Sequence, residues 1–177
     1  LRPIKGVLPI AIQAQKEGFK GFILPADNAR EAAVVKDLNV LPVKTLKEAV
    51  DFLMGKITIE PTIVDSTEIF ATKLNHYDID FKDVQGQENI KRALEIAAAG
   101  GHNVIMIGPP GAGKTMLAKR LPSILPPLTL DEALETTKIH SVAGKINGGI
   151  ALLTTRPYRS PHHTVSDVAL VGGGGNP

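Results

Sequence analysis

The stretch Gly108-Pro109-Pro110-Gly111-Ala112-Gly113-Lys114-Thr115 decides the fold. It matches the pattern G-x-x-x-x-G-K-[ST], and its surroundings suit that pattern. The apolar run at residues 103–107 predicts a buried strand, and residues 114–121 predict a helix. A glycine-rich turn between a buried strand and a helix is typical of α/β proteins. The sequence therefore predicts an α/β fold built around this turn.

Each fixed position of the turn has a chemical reason. The glycines permit backbone angles that bring successive N–H groups onto phosphate oxygens. The lysine adds a charge that reaches the β- and γ-phosphates, and the threonine hydroxyl is a Mg²⁺ ligand. A glycine-rich turn without a ligand is the alternative. We expect ATP and Mg²⁺ as cofactors, Thr115 as the metal ligand, Lys114 as the catalytic residue, and nucleotide contacts from Gly108, Pro109, Pro110, Gly111, Ala112, Gly113, Lys114, Thr115 and Met116.

The composition is that of a globular protein. Of the 177 residues, 43% are hydrophobic and 21% are charged, and the formal net charge is +2. Cysteine is absent, which excludes disulfides and thiolate metal sites. No apolar stretch reaches about 18 residues, so the sequence predicts no membrane-spanning helix, and we expect a cytoplasmic protein. The chain begins with Leu1 rather than Met, so we expect it to be a fragment of a longer protein.

Residues 1–55 alternate between helical and strand patterns. Helices are predicted over 7–17, 29–36 and 46–54, with buried strands over 19–24 and 39–43, which implies parallel βαβ connectivity. Asp27 or Asn28 would cap the second helix, and Thr45 with Glu48 would form a capping box for the third. Residues 56–78 lose this rhythm and are predicted to be a linker.

Residues 79–177 are predicted to form a second domain around the glycine-rich turn. An amphipathic helix is predicted over 86–99, and Thr129 with Glu132 would open another that runs to about His140. Asp131, Glu132 and Glu135 could form an acid–base cluster, but carboxylates in the first turns of a helix are favoured by its dipole, and that account suffices.

Residues 79–87, Ile-Asp-Phe-Lys-Asp-Val-Gln-Gly-Gln, end about 20 residues before the turn. This segment resembles the stretch that lines the adenine pocket of AAA+ ATPases. The resemblance implies that Val84 and Gly86 contact the base, with Gln85 and Gln87 beside it. Taken alone, the segment also fits an ordinary loop that precedes a helix.

Three further stretches narrow the resemblance. They are residues 156–164 (RPYRSPHHT), the glycines of 172–175, and residues 1–30, which are similar to the later half of a Lon-protease-type domain. Together they resemble the YifB/ComM family of Mg-chelatase-like AAA+ ATPases. The resemblance implies a P-loop AAA+ core preceded by a partial Lon-protease-like module at residues 1–55. It also implies a homo-hexamer that processes DNA in competence and recombination, by branch migration or a helicase-type activity.

The family pattern places the acidic Walker B strand, the sensors and the arginine finger after Pro177. From this we expect the chain to bind ATP or ADP with negligible hydrolysis. Three rival functions stay open: the motor subunit of magnesium chelatase, an ATP-dependent protease, and a nucleotide-gated scaffold. The fused N-terminal module argues against the first. Residues 6–11 are apolar where a Lon protease has its lysine, so we expect a packing or interaction module without peptidase activity.

Residues 136–166 contain no Asp or Glu. Basic side chains accumulate there, and such a one-sign stretch is typical of phosphate contacts. A solvated basic loop is the alternative. Two adjacent histidines without a flanking carboxylate or cysteine do not predict a metal site. We expect DNA, or the phosphates of a neighbouring subunit, to contact Arg156, Arg159, His162 and His163.

Overall fold

The structure is a computed structural model that describes residues 1–74, 76–146, 150–162, 164–166 and 168. Its contacts divide the chain into two compact units. The first unit contains Leu1–Asp78 and Pro126–Thr155, and the second contains Ile79–Leu125 and the residues from Arg156 onward. The change of unit after Asp78 lies beside the predicted boundary at residue 79. That residues 56–78 act as a linker stays a prediction.

Helices and a small parallel sheet make up the first unit. Strand β1 pairs with strand β2 in parallel, with Phe22 opposite Val40 and Leu24 opposite Pro42, which confirms the predicted connectivity. The elements are α1 (Val7–Lys16), β1 (Gly21–Pro25), α2 (Ala29–Ala32), β2 (Asn39–Val43), α3 (Leu46–Leu53), α4 (Ser66–Lys73) and α7 (Leu130–Val142), with a 3₁₀ turn at Ala26–Asn28.

Strand β1 begins later than predicted. Phe19 was expected to start a buried strand, but it is 57% exposed. The end of α1 explains the difference, since the Phe19 N–H donates to the Ala14 carbonyl at 3.0 Å and the Gly18 N–H donates to that of Gln15. These bonds satisfy carbonyls at the end of the helix, as in a Schellman-type ending. Phe19 therefore belongs to the cap of α1, and pairing with β2 begins at Gly21.

Helix α2 is shorter than the predicted 29–36. Neither predicted cap forms, because the Asn28 amide binds the backbone of Ile4 instead. It accepts from the Ile4 N–H at 2.9 Å and donates to the Ile4 carbonyl at 3.0 Å. Beyond Ala32 the chain turns, and Asp37 has a left-handed φ of 62°. Backbone in that conformation does not continue a right-handed helix.

The caps of the later helices follow the sequence more closely. Thr45 caps α3 by accepting from the Glu48 N–H, but the Glu48 carboxylate accepts from the N–H of Lys44, so the reciprocal bond of the predicted capping box is displaced by one residue. Thr129 and Glu132 form both bonds of the predicted capping box at the start of α7. Helix α4 lies inside the predicted linker and is capped by the Asp65 carboxylate.

Helix α7 completes the core of the first unit. Its buried residues Ala133, Thr137 and Ser141 recur every four positions and therefore share one face. Helix α1 packs against α7. Two apolar clusters result: one contains Val7, Ala11, Leu24, Ala32 and Val40, and the other contains Leu8, Val34, Leu128, Ala133 and Leu152.

The second unit is helical in the part that the structure describes. Helix α5 (Glu88–Gly100) and helix α6 (Lys114–Arg120) confirm the helices predicted on either side of residues 103–107, and 3₁₀ turns lie at Phe81–Asp83 and Leu121–Ile124. The buried strand predicted at 103–107 is wrong, since no strand forms there and Ile105 and Ile107 are 84% and 90% exposed. A strand needs a neighbour for its backbone groups, and no described residue pairs with this segment.

Candidate functional site

The glycine-rich turn runs from Gly108 into the first residue of α6. Gly111 and Gly113 have φ values of 82° and 80°, in the left-handed region where a side chain is strained. Helix α6 then begins at Lys114, and the Leu117 N–H closes its first turn on the Gly113 carbonyl at 2.9 Å. The turn is mostly exposed and borders a cavity of about 390 Å³ lined by residues 110–116.

The Lys114 side chain folds back over this turn. Its ammonium donates to the Gly108 and Pro109 carbonyls, each at 2.8 Å. An ammonium has three donors, so one remains for a further acceptor. Thr115 follows with an exposed side chain in the first turn of α6, and Met116 is half-buried. The lysine thus links the two ends of the turn through hydrogen bonds, and its side chain stays partly exposed.

The predicted base-binding segment lies next to the turn. Val84 is buried and shares a cluster with Phe81, Leu94 and Leu117, the last of which belongs to α6. Gly86 is exposed. A Cβ atom built on Gly113 would lie 3.7 Å from Nε2 of Gln87. The structure therefore brings residues 84–87 and the glycine-rich turn together, and the contact of Val84 and Gly86 with the base stays a prediction.

Several contacts that hold this segment were missed by sequence reasoning. The Ser123 hydroxyl accepts from the Phe81 N–H at 2.9 Å and donates to the Arg120 carbonyl at 2.8 Å. The Lys91 ammonium donates to the Val84 carbonyl at 3.4 Å and pairs with Glu88. Ser123 is 42 residues from Phe81, and no local pattern links them. A left-handed φ of 56° at Gln87, a non-glycine residue, was also unforeseen.

The electrostatics of the segment are simple. The backbone N–H of Lys82 donates to the Asp80 carboxylate at 3.0 Å and lowers the pKa of that carboxyl below its ordinary value. The Asp83 carboxylate in turn accepts from the Asp80 N–H. These reciprocal bonds fix the 3₁₀ turn that places Phe81 and Val84 in the core.

The basic segment is described in part. Arg156 is half-buried, Arg159 and His162 are exposed, and His163 lies outside the described residues. The His162 ring nitrogen Nδ1 lies 2.7 Å from the Thr164 hydroxyl oxygen. Lys138, one of the basic residues of the 136–166 stretch, forms an ion pair with Glu135 one helical turn away. The charge excess of this stretch is therefore smaller than the sequence count.

The described residues offer little for metal binding or for crossing a membrane. They contain no group of three or more His, Cys, Asp and Glu side chains arranged to hold a metal ion. None of their helices combines the length and apolar character that crossing a bilayer requires. The glycine-rich turn and its neighbouring segment are thus the best-organised candidate site.

Comparison with known proteins places this site in a family. The chain is 43% identical over 177 residues to competence protein ComM of Haemophilus influenzae, an alignment that covers 98% of this chain and 34% of ComM. It is 42% identical over 177 residues to the protein YifB of Escherichia coli, with 100% of this chain and 34% of YifB covered. An archaeal Lon protease of Halobacterium salinarum is 32% identical over 115 residues, which is 62% of this chain and 16% of the protease.

The chain thus spans about a third of the length of its closely similar relatives, with 34% of ComM and YifB covered. The family described as magnesium chelatase, subunit ChlI matches residues 80–177. That match contains residues 84–87, the glycine-rich turn and the basic segment. The chain belongs to the magnesium chelatase, subunit ChlI family.

Proposed function

We propose that this chain binds ATP or ADP with Mg²⁺ at residues 108–115, and that the full-length protein hydrolyses ATP in order to process DNA. One observation supports the nucleotide site above all. Two left-handed glycines lead directly into a helix that starts with Lys114, and a Cβ atom built on the second glycine would lie 3.7 Å from Nε2 of Gln87. Backbone N–H groups in such a turn are the standard cradle for phosphate oxygens.

Each residue of the site has a proposed role. Backbone N–H groups of Gly111, Gly113 and Lys114 bind the β- and γ-phosphates, since Pro109 and Pro110 have no N–H, and Lys114 turns its ammonium from the loop carbonyls toward them. Val84 and Gly86 contact the base, and Met116 lies along the nucleotide. Because Lys114 also closes the loop through two hydrogen bonds, it organises the cradle before a phosphate arrives.

The donor set fits a magnesium ion that is bound together with the nucleotide. Mg²⁺ keeps several waters and is usually bound by substrate phosphates with one or two protein oxygens. Thr115, exposed in the first turn of α6, offers one such oxygen. The ion would neutralise charge on the transferred phosphoryl group. The Thr115 hydroxyl would be one ligand of the ion, and the Lys114 ammonium would bind a phosphate oxygen.

The role of the full-length protein rests on its relatives. One of them bears the name competence protein, and weaker similarity extends to a Lon protease and to an ATP-dependent zinc metalloprotease. We propose an AAA+ ATPase, assembled as a cytoplasmic homo-hexamer, that acts on DNA by branch migration or a helicase-type activity. In this proposal residues 1–55 are its partial Lon-protease-like module and 79–177 belong to its nucleotide-binding domain, although Pro126–Thr155 pack within the first unit. Arg156, Arg159, His162 and His163 contact DNA or a neighbouring subunit.

A second candidate is the motor subunit of magnesium chelatase, because the family description itself names that enzyme. The two functions differ in what stimulates ATP hydrolysis. A DNA-processing motor responds to DNA, whereas a chelatase motor supports insertion of Mg²⁺ into protoporphyrin. A nucleotide-gated scaffold would respond to neither.

The test is the ATPase rate of the full-length protein with and without single-stranded or branched DNA. We expect DNA to stimulate the rate and Lys114→Ala to abolish it. A second measurement is the salt dependence of the association constant K for DNA. If Arg156 and Arg159 each neutralise one phosphate, changing both to Ala should reduce the slope of log K against the logarithm of the salt concentration by about 1.8. Changing the exposed Lys16 and Lys20 to Ala is the control and should leave it unchanged. ATPase activity that is indifferent to DNA would overturn the DNA role.

A further inference from the structure

A polar cavity lies in the first unit, remote in sequence from the glycine-rich turn. It is formed where the start of α1, the turn before α2 and the end of α7 meet, and its volume is about 540 Å³. Small-molecule sites in proteins typically have volumes of 300–1,000 Å³. Buried Asn28, Glu31 and Ser141 line this cavity, with Lys5, Asp27 and Gly144 exposed at its rim.

Glu31 is a buried carboxylate that the fold does not neutralise. Its side chain is 5% exposed, and it forms no ion pair among the described residues. Its Oε1 accepts from the Leu8 N–H at a long 3.3 Å, and its Oε2 accepts from the Asn28 amide at 3.5 Å. Buried charges are costly unless they are paired or strongly hydrogen-bonded. Two long bonds from neutral donors leave most of the acceptor capacity of this carboxylate unused.

Ser141 adds a second unsatisfied group. It is 2% exposed, and its hydroxyl has no hydrogen-bond partner within the described part of the chain. A serine or threonine in a helix commonly donates to the carbonyl four residues earlier, as Thr137 does to Ala133 at 2.6 Å. The Ser141 hydroxyl does not form this bond. The backbone carbonyl of Ser141, in contrast, accepts from the N–H groups of both Gly6 and Gly144. A buried hydroxyl left unpaired costs free energy that a ligand would recover.

The remaining walls are rigid. The Asn28 amide is engaged with the backbone of Ile4 on both its oxygen and its nitrogen. The Gly6 N–H is fixed by the Ser141 carbonyl at 3.1 Å, which joins the start of α1 to the end of α7. These contacts tie the segments that carry Glu31 and Ser141 to the rest of the cavity lining.

We propose that this cavity binds a small organic cation through a primary ammonium or guanidinium group. Glu31 would accept a charge-assisted hydrogen bond from that group, and the Ser141 hydroxyl oxygen would accept a second. Asp27 at the rim adds a second negative charge and Lys5 adds one positive charge, so the lining keeps a net negative charge that favours a cation over an anion. A metal ion is disfavoured, because the described residues place no three metal-binding side chains together. The site is independent of the nucleotide site proposed above.

The experiment is a ligand-observed saturation-transfer NMR titration of the full-length protein with n-butylammonium. The neutral n-butanol, which has the same chain, is the matched probe. We expect saturable binding of n-butylammonium and at least tenfold weaker binding of n-butanol, because a charged hydrogen bond contributes more than a neutral one. Equal binding of the two probes, or no saturable binding of either, would overturn the proposal.

Variants place the binding in this cavity. Glu31→Gln, which keeps an acceptor for the Leu8 N–H, should weaken n-butylammonium binding about tenfold, and Ser141→Ala should weaken it about threefold. Glu17→Gln removes an exposed carboxylate of the same unit and should change nothing. Ser141→Ala removes a hydroxyl without a partner, so its melting temperature should equal or exceed that of the wild type. It keeps the test decisive if Glu31→Gln does not fold. Unchanged affinity in a folded Ser141→Ala or Glu31→Gln protein would refute the assignment.

Discussion

The substitution Gly111→Ala tests whether the observed conformation of the glycine-rich turn is the one that binds nucleotide. A Cβ atom at residue 111 would meet no atom within 4 Å, so the change adds no steric contact. Its whole effect is on the backbone, whose φ is 82°. Holding a non-glycine residue in the left-handed region costs about 1–2 kcal/mol. The exposed loop can relax in the free protein, and the cost then appears when the nucleotide restores its conformation.

A cost of about 1–2 kcal/mol corresponds to roughly 5- to 30-fold weaker binding, since 1.4 kcal/mol is tenfold. The control is Gly55→Ala, which lies outside residues 108–115. Residue 55 also has a left-handed φ, of 71°, and its Cβ would likewise meet no atom within 4 Å. We therefore expect its affinity to stay within about twofold of the wild type.

Calorimetric titration with ADP, together with thermal melting, measures both quantities. We expect Gly111→Ala to lose affinity with little change in melting temperature, because the loop is exposed. Wild-type affinity for Gly111→Ala, or a larger loss for Gly55→Ala than for Gly111→Ala, would show that the binding conformation differs from this one.

Three further predictions concern stability. Leu117 is 1% exposed, and Leu117→Ala should reduce the free energy of unfolding by about 3–5 kcal/mol in urea titrations, whereas Leu53→Ala at an exposed position should change it by less than about 0.5 kcal/mol. Thr129→Ala removes the cap of α7 and should cost about 1 kcal/mol by the same measurement, with Thr67→Ala as the control. The backbone N–H groups of Glu68 and Thr67 lower the pKa of the Asp65 carboxyl. The contribution of Asp65 to the free energy of unfolding is therefore present above its unfolded pKa near 4 and is lost as the pH falls through the lower folded value. Between pH 5 and pH 2 the stability of Asp65→Asn should fall less than that of the wild type, and parallel curves would contradict this.

Local patterns predicted much of the fold. The helices at α1, α5, α6 and α7, the strand at β2 and the cap at Thr129 depend on spacing and on side chains within one turn, and the structure has them all. The failures have non-local causes. The Phe19 N–H is hydrogen-bonded to the end of α1, and the Asn28 side chain is hydrogen-bonded to the backbone of Ile4, 24 residues away. Residues 103–107 have the composition of a buried strand but find no partner strand among the described residues.

The candidate site was predicted in the same uneven way. The pattern at 108–115 is enough to predict a phosphate-binding turn, and the family resemblance is what pointed to residues 84–87 as its neighbours. The approach of Gln87 to Gly113 and the support from Ser123 depend on tertiary packing. The return of Lys114 onto its own loop is local, but it depends on the backbone path of that loop. The unpaired positive charge of residues 136–166 is also smaller than the sequence suggests, because Glu135, just before this stretch, forms an ion pair with Lys138. A count of charges does not reveal which of them are already paired.

The most direct test of the central claim is calorimetric titration of ADP and ATP into the wild-type protein and into Lys114→Ala. The lysine contributes a charge-assisted contact of about 1.5–3 kcal/mol, so its loss should weaken binding tenfold or more. Lys119→Ala, an exposed lysine on the same helix, is the matched control and should bind like the wild type. Equal affinity of the wild type and Lys114→Ala would contradict the assignment of residues 108–115 as the nucleotide site.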